Sequence, residues 1–253
     1  MTLTLLGTGT SQGVPVIGCD CEVCQSTDPH DNRRRSAALL TAGPLNILID
    51  VGPDFRQQML HAQVTHLDAI LLTHEHNDHV IGLDDIRPFN FRSGQPMIIY
   101  ALPRVAEEVR RRFDYVFGEQ IPGLPRIELV MVDEHNSLQF GNVHIQPIGV
   151  RHGRLPILGF RIHDFTYLTD VKTVSDEEFK KIRGTRYLVV NALHHETHPT
   201  HLNMEEALAF IERVAPEQAW LTHMSHRLGL ARVEGPKLPP GVALGYDGLQ
   251  IEF

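Results

Sequence analysis

Several things are scarce in this chain. Its 253 residues include one tryptophan and three cysteines, and no apolar run approaches the ~20 residues that a bilayer-spanning helix needs. An odd cysteine count excludes complete internal disulfide pairing. No Ser/Gly-rich linker, low-complexity tract or fixed-period repeat interrupts the sequence, which excludes a solenoid or a string of tethered modules. The opening stretch, MTLTLLGTGTSQG, has neither the basic start nor the long apolar segment of a secretory signal. A cytoplasmic protein without membrane attachment, its thiols kept reduced, is the expectation. Positive charge is short as well: 23 lysines and arginines face 31 aspartates and glutamates, a net charge of −8. Nucleic-acid binders ordinarily carry a basic excess or stripe, so the charge balance argues against a broad phosphate-tracking surface.

What remains is an ordinary globular mixture, 42% hydrophobic and 21% charged. Short β-rich runs occupy 3–7, 45–52, 68–74, 96–102, 127–132, 143–150, 166–170, 187–193 and 219–223. Helical periodicity appears over 53–62, 80–87, 103–113, 175–183 and 203–214. Acidic residues early in the last two, Asp176 to Glu178 and Glu205–Glu206, suit helix N-termini. Strands and helices interleave, so the economical reading is one layered α/β domain over residues 1–253. The stretch 114–126, punctuated by Gly and Pro, reads as a surface excursion.

Histidine is abundant: there are 16, and they cluster. LLTHEHNDHV (71–80) holds His74, His76, Asp78 and His79. Residues two apart on a helix point to nearly opposite sides, so His74 and His76 can share a metal only from extended or loop backbone. The apolar run before them supplies a buried strand feeding such a loop, with Asp78 and His79 near the start of the next helix. His152, Asp170 and His223 repeat this grammar, each closing an apolar strand. Open sheets gather functional groups at such strand ends, and imidazoles with carboxylates are the usual ligands of zinc, manganese or ferrous iron.

THEHNDH, with His152, Asp170 and His223 following in that order, resembles the metallo-β-lactamase superfamily. The likeness runs through nearly the whole chain, including LLGTGTSQGVP near the start, LIDVG (48–52) and GYDG (245–248). It is closest to the phosphoribosyl cyclic phosphodiesterase (PhnP-like) branch, which acts late in carbon–phosphorus lyase metabolism. The resemblance implies an αββα sandwich, two facing mixed sheets flanked by helices, with a dinuclear metal centre at one end. Carried onto this chain, His74, His76 and His152 hold one divalent ion and Asp78, His79 and His223 the other, with Asp170 bridging. The ions would be zinc or manganese, with iron as an alternative. Asp50 takes the place of an early strand-end aspartate that supports the metal loop by hydrogen bonding without ligating. A plain strand-end turn is its other reading.

GCDCEVC (18–24) contains every cysteine of the chain. A lone cysteine is most often a small buried hydrophobe, but three within six residues, among Gly, Asp and Glu, do not resemble a core strand. A tetrahedral structural zinc takes four ligands, and the branch carries one of Cys3His composition. The resemblance therefore assigns Cys19, Cys21, Cys24 and His226 to it, His223 being taken by the metal pair. In HHETHPTHLNMEEA (194–207), His201 matches the catalytic histidine of the branch, while His194, His195 and His198 read as a solvated loop. Arg33, Arg34, Arg35, Arg151, Arg154 and Lys172 read as solvated charges rather than phosphate ligands. The implied function is a metal-dependent phosphodiesterase for a small phosphodiester such as ribose 1,2-cyclic phosphate, with a homodimer by analogy. The alternatives are an RNA 3′-end-processing nuclease, a thioesterase or lactonase, and, behind these, a non-catalytic zinc-binding module.

Overall fold

The computed structural model describes residues 1–118 and 122–253. The first sheet begins with β1 (Thr2–Gly7), β2 (Ala37–Ala42) and β3 (Leu45–Ile49). It continues through β4 (Ala69–Leu71), β5 (Met97–Ala101) and β6 (Ile127–Met131). The second sheet comprises β7 (Leu138–Phe140), β8 (Val143–His152), β9 (Leu155–Ile162), β10 (Phe165–Leu168), β11 (Tyr187–Asn191), β12 (Gln218–Thr222) and β13 (Val242–Leu244). The chain then returns to the edge of the first sheet as β14 (Gln250–Glu252). The sheet orders are β14-β1-β2-β3-β4-β5-β6 and β13-β12-β11-β10-β9-β8-β7. In each sheet one half is antiparallel and the other parallel.

Alternation along the strands sorts the apolar side chains into three layers. Ile47, Ile49, Ala69 and Leu71 face Ile145, Phe160, Tyr167 and Val189 between the sheets. Leu48, Ile70 and Leu72 point outward beneath α1 (Phe55–His61), α2 (Asn77–Val80), α3 (Arg87–Ser93) and α4 (Pro103–Arg112). Leu188, Val190 and Leu221 lie under α6 (Asp176–Ile182) and α7 (Met204–Val214). The architecture is thus the αββα sandwich, with two mixed seven-stranded sheets. Among the described residues no helix is long and apolar enough to cross a membrane.

The differences from the sequence reading have local causes. The helix expected over 80–87 begins earlier, at Asn77, runs on as a 3₁₀ turn over 81–86 and restarts at Arg87, with Pro88 in the first turn where its missing N–H is harmless. The strand β9 was hidden by Pro156 and Gly159, both of which normally argue against a strand. Gly159 lets Leu168 pack close, since a Cβ at this position would lie 2.2 Å from Leu168 Cδ2 and push that side chain aside. The stretch 114–126 opens with the short helix α5 (Asp114–Phe117), and its residues 119–121 lie outside the described residues.

Candidate metal centre

The C-terminal ends of the parallel strands meet at one end of the sandwich. Asp50, Asp170 and His223 stand one or two residues beyond β3, β10 and β12. All three have left-handed backbone, with φ of 66°, 58° and 54°. For residues other than glycine this conformation costs about 1 kcal/mol or more each, and such strain collects at functional sites. The sharp turn it makes aims each side chain inward from its strand.

Between β4 and α2 the loop carries the dense motif. His76 is extended (φ −61°, ψ 149°) and caps α2, so His74 and His76 project to one side with Nε2 and Nδ1 3.0 Å apart. Asp78 and His79 lie within the helix. His79 Nε2 sits 3.2 Å from Asp78 Oδ2 and 3.3 Å from Asp170 Oδ2, and His223 Nε2 is 3.1 Å from Asp170 Oδ1. His152, arriving at the end of β8, places its ring 5.1 Å from that of His76 and 4.5 Å from that of His201.

Hydrogen bonds set which imidazole nitrogen is free. Asp50 is fully buried; it accepts from the Thr73 N–H (2.8 Å) and the Thr73 hydroxyl (2.8 Å), and its Oδ2 lies 2.7 Å from His79 Nδ1. This fixes a proton on His79 Nδ1, so Nε2, which faces Asp78 and Asp170, is the nitrogen that a cation can take. In the same way His152 Nδ1 donates to the Thr200 carbonyl at 2.9 Å. Thr73 and Thr200 carry no signal in the sequence. Burial, opposed by the His223 and His79 charges, is the largest influence on Asp170, whose carboxyl ends well below the usual carboxylate range. Burial, with the neighbouring His223, pushes the His201 imidazole down to about 2, so it is neutral.

The donor set fits a pair of divalent cations. Ligand atoms of His74, His76 and His152 lie within 4.8 Å of one another, as do those of Asp78, His79 and His223. Asp170 falls within the same limit of both His74 with His79 and His152 with His201. Nε2 of His79 and of His223 are buried against the Asp78 and Asp170 carboxylates without an aligned hydrogen bond, an arrangement of donor atoms that a bound cation would complete. His201 Nδ1 is likewise buried and unpaired, 3.7 Å from Asp170 Oδ1.

A second group stands apart from the first. The Sγ atoms of Cys19, Cys21 and Cys24 lie 3.3, 3.3 and 3.5 Å from His226 Nδ1, and the four form one potential metal group. The Cys24 N–H holds the Cys21 thiol down to about 6, with help from His226. Burial pushes Cys24 up to about 11. The arginine run is not the solvated face expected of it. Arg33 is buried 3.4 Å from Asp31, and Arg35 pairs with Asp54 at 3.0 Å.

A sandwich of this topology with clustered His and Asp side chains at its strand ends defines a metallohydrolase fold. Residues 45–224 match the Beta-lactamase superfamily domain, and the chain belongs to the metallo-β-lactamase superfamily, on its PhnP-like branch. The crystal structure of a new diphosphatase from the PhnP family superposes with a TM-score of 0.93 at 37% identity, covering 100% of this chain and 97% of that one. An octanoyltransferase of Porphyromonas gingivalis is 42% identical over 253 residues, 99% of this chain and 51% of that protein. A ribonuclease Z of Bradyrhizobium is 32% identical over 138 residues, 52% of this chain and 45% of that protein. The chain spans about half the length of the curated relatives it matches.

Proposed function

We propose that this chain is a metal-dependent phosphodiesterase for a small phosphodiester, with a cyclic ribose phosphate as the model substrate. In this reading His74, His76 and His152 hold one divalent ion, Asp78, His79 and His223 the other, and Asp170 reaches both. Cys19, Cys21, Cys24 and His226 hold a structural zinc. A divalent pair so held supplies a water of lowered pKa and positive charge for the phosphoryl oxygens. Asp50 and the Thr200 carbonyl keep His79 and His152 in the tautomer that leaves Nε2 free.

The observation that carries the reading is the place of His201, a buried imidazole with Nδ1 unpaired beside Asp170 and its ring stacked 4.8 Å from that of His223. A phosphodiester needs a proton for its departing alkoxide, and histidine is the commonest donor. A bound phosphoryl group brings negative charge next to His201 and favours its protonated form. His198 adds a second group: its Nδ1 faces the Thr200 N–H (3.4 Å) and hydroxyl (3.2 Å), which puts its proton on Nε2, and its ring stands 5.0 Å from that of His201. Two imidazoles beside the metal groups suit the several oxygens of a phosphoester better than the single carbonyl of a lactone.

The test is a substrate panel on the metal-loaded protein: bis-p-nitrophenyl phosphate, ribose 1,2-cyclic phosphate, a diphosphate diester, pre-tRNA, an octanoyl thioester and a lactone. Turnover of the small phosphoesters is expected. Turnover of only the thioester or the lactone overturns the reading. The pre-tRNA arm answers the similarity to ribonuclease Z, against which the net charge of −8 weighs. The diphosphate arm answers the PhnP-family diphosphatase.

A further inference from the structure

We propose that Arg104 is a positioning residue for the metal centre, gripping at once the loop that carries His74 and His76 and the hairpin that carries His152. The proposal rests on the ligand assignment above.

Alternation in the extended segment 74–76 turns Glu75 away from the side taken by the two histidines. Its carboxylate is 13% exposed and pairs with Arg104 from α4. The same guanidinium donates to the Pro156 carbonyl at 2.6 Å. Pro156 lies on β9 opposite Arg151, one step from the pair His152–Leu155 that closes the β8–β9 hairpin. A single planar cation thus bridges the segments that bring histidines from different sheets. A second arginine of α4 completes the grip: Arg112 donates to the Glu75 carbonyl at 2.5 Å and to Asn77 Oδ1 at 2.9 Å.

His76 needs such help more than its neighbours do. It is exposed, whereas His74 and His79 are fully buried and braced by packing. Its ring meets the other imidazoles His74 and His152, and its placement follows from the backbone at Glu75 and Asn77, the two residues that the arginines hold. The base of the clamp is rigid, since Val105, Ala106 and Val109 of α4 are fully buried in the core. A ligand carried on a flexible segment loses ordering entropy when a cation binds, and fixing that segment beforehand raises affinity without touching the ion. Arginine suits this position because its fork can donate to two acceptors at once, which a lysine ammonium on a flexible stem does less well.

The experiment is a three-site zinc titration by calorimetry of chelator-stripped Arg104→Ala and Arg104→Lys, with His76→Ala, His223→Ala and Cys21→Ser identifying which heat belongs to which ion. Arg104→Ala is expected to weaken the ion that His76→Ala loses by roughly 10–100-fold, the range found when groups supporting metal ligands are removed. The ion lost in His223→Ala should be unchanged, and the metal-free protein should stay folded, with a melting midpoint lowered by the loss of the Glu75 pair. Arg104→Lys, which keeps the charge beside Glu75 but not the double grip, should fall between. Unchanged affinities, or equal weakening of both ions, overturn the clamp. A His76→Ala protein that keeps both ions overturns the ligand assignment beneath it, a result distinct from the clamp's own failure.

Discussion

Asp50→Asn replaces one carboxylate oxygen with an NH₂ group and changes almost no volume. Asp50 has φ of 66°, a conformation that asparagine tolerates as well as aspartate. The asparagine oxygen can keep the Thr73 N–H, which turns its NH₂ toward His79 Nδ1, 2.7 Å away in the parent. Two donors cannot face each other, so the imidazole shifts its proton to Nε2 and blocks the lone pair that looks toward Asp78 and Asp170. Groups that orient a ligating histidine are worth roughly 10–100-fold in metal affinity, which is about 1.4–2.7 kcal/mol at 1.36 kcal/mol per factor of ten. Calorimetric titration of the metal-free variant should show the ion of Asp78, His79 and His223 weakened by that factor, and the ion of His74, His76 and His152 little changed. Burial raises the Asp50 carboxyl pKa against the pull of His79 and Thr73. Metal-free Asp50→Asn keeps the Thr73 hydrogen bond but loses the buried pair with His79, so it should stay folded with a lower melting midpoint than the parent. Parental affinity at both sites would refute the tautomer argument, and an equal loss at both would make Asp50 a general scaffold residue.

His201→Ala should lower kcat by roughly 10²–10⁴-fold, the range for a lost general acid, while elemental analysis finds the metals in place; loss of metal in parallel would make His201 a ligand. Cys24, held up at about 11, must release its proton to zinc at neutral pH, whereas Cys21, held down to about 6, competes with protons only below that pH. The fall of zinc affinity with falling pH should therefore steepen below about 6. A chromogenic-chelator titration whose pH slope does not steepen there would contradict this. Gly52→Ala should destabilise the fold by about 1–3 kcal/mol, since its Cβ would lie 2.1 Å from the Asp78 carbonyl oxygen. Thermal melting should show a drop of roughly 2–4 °C for each kcal/mol, and an unchanged midpoint would mean that the two backbones are not in tight contact.

The dense motif was legible because His74, His76, Asp78 and His79 are ligand types packed into six positions, a pattern that ordinary loops do not show. Asp170 and His223 were legible as the last residues of apolar strands. What stayed hidden depended on partners far away in the chain. Thr73 and Thr200 act through a hydroxyl and a backbone carbonyl, which leave no spacing signature. The run Arg33-Arg34-Arg35 looked like solvated charge, yet Arg34 and Arg35 meet Asp247 and Asp54 while Arg33 lies buried beside Asp31. Asp247 is 213 residues from Arg34, whose backbone N–H it accepts at 2.7 Å. β2 was missed because its AALLTA is rich in alanine, a weak strand former that tertiary pairing with β1 and β3 overrides.

The two candidate metal groups are joined through the four residues His223 to His226, and that connection has a measurable consequence. His223 belongs to the first group and His226 to the second. Between them the Met224 N–H donates to the Thr8 carbonyl at 2.8 Å, and the Thr10 N–H donates to the Met224 carbonyl at 3.2 Å. The Ser225 N–H bonds the Leu193 carbonyl at 2.9 Å, and the Ser225 side chain caps the 3₁₀ turn that begins at His226. His223 sits in left-handed backbone immediately before this ladder, so its aim depends on the ladder staying fixed. Zinc bound by the cysteines and His226 would lock the far end. Cys21→Ser, which removes a thiolate ligand, should therefore lose the structural zinc and also weaken the ion of Asp78, His79 and His223. The ion of His74, His76 and His152 has no ligand on this segment and should hold its affinity. Titration of the variant separates the outcomes: selective weakening of the His223 ion supports the coupling, and loss of the structural zinc with both other affinities intact removes it.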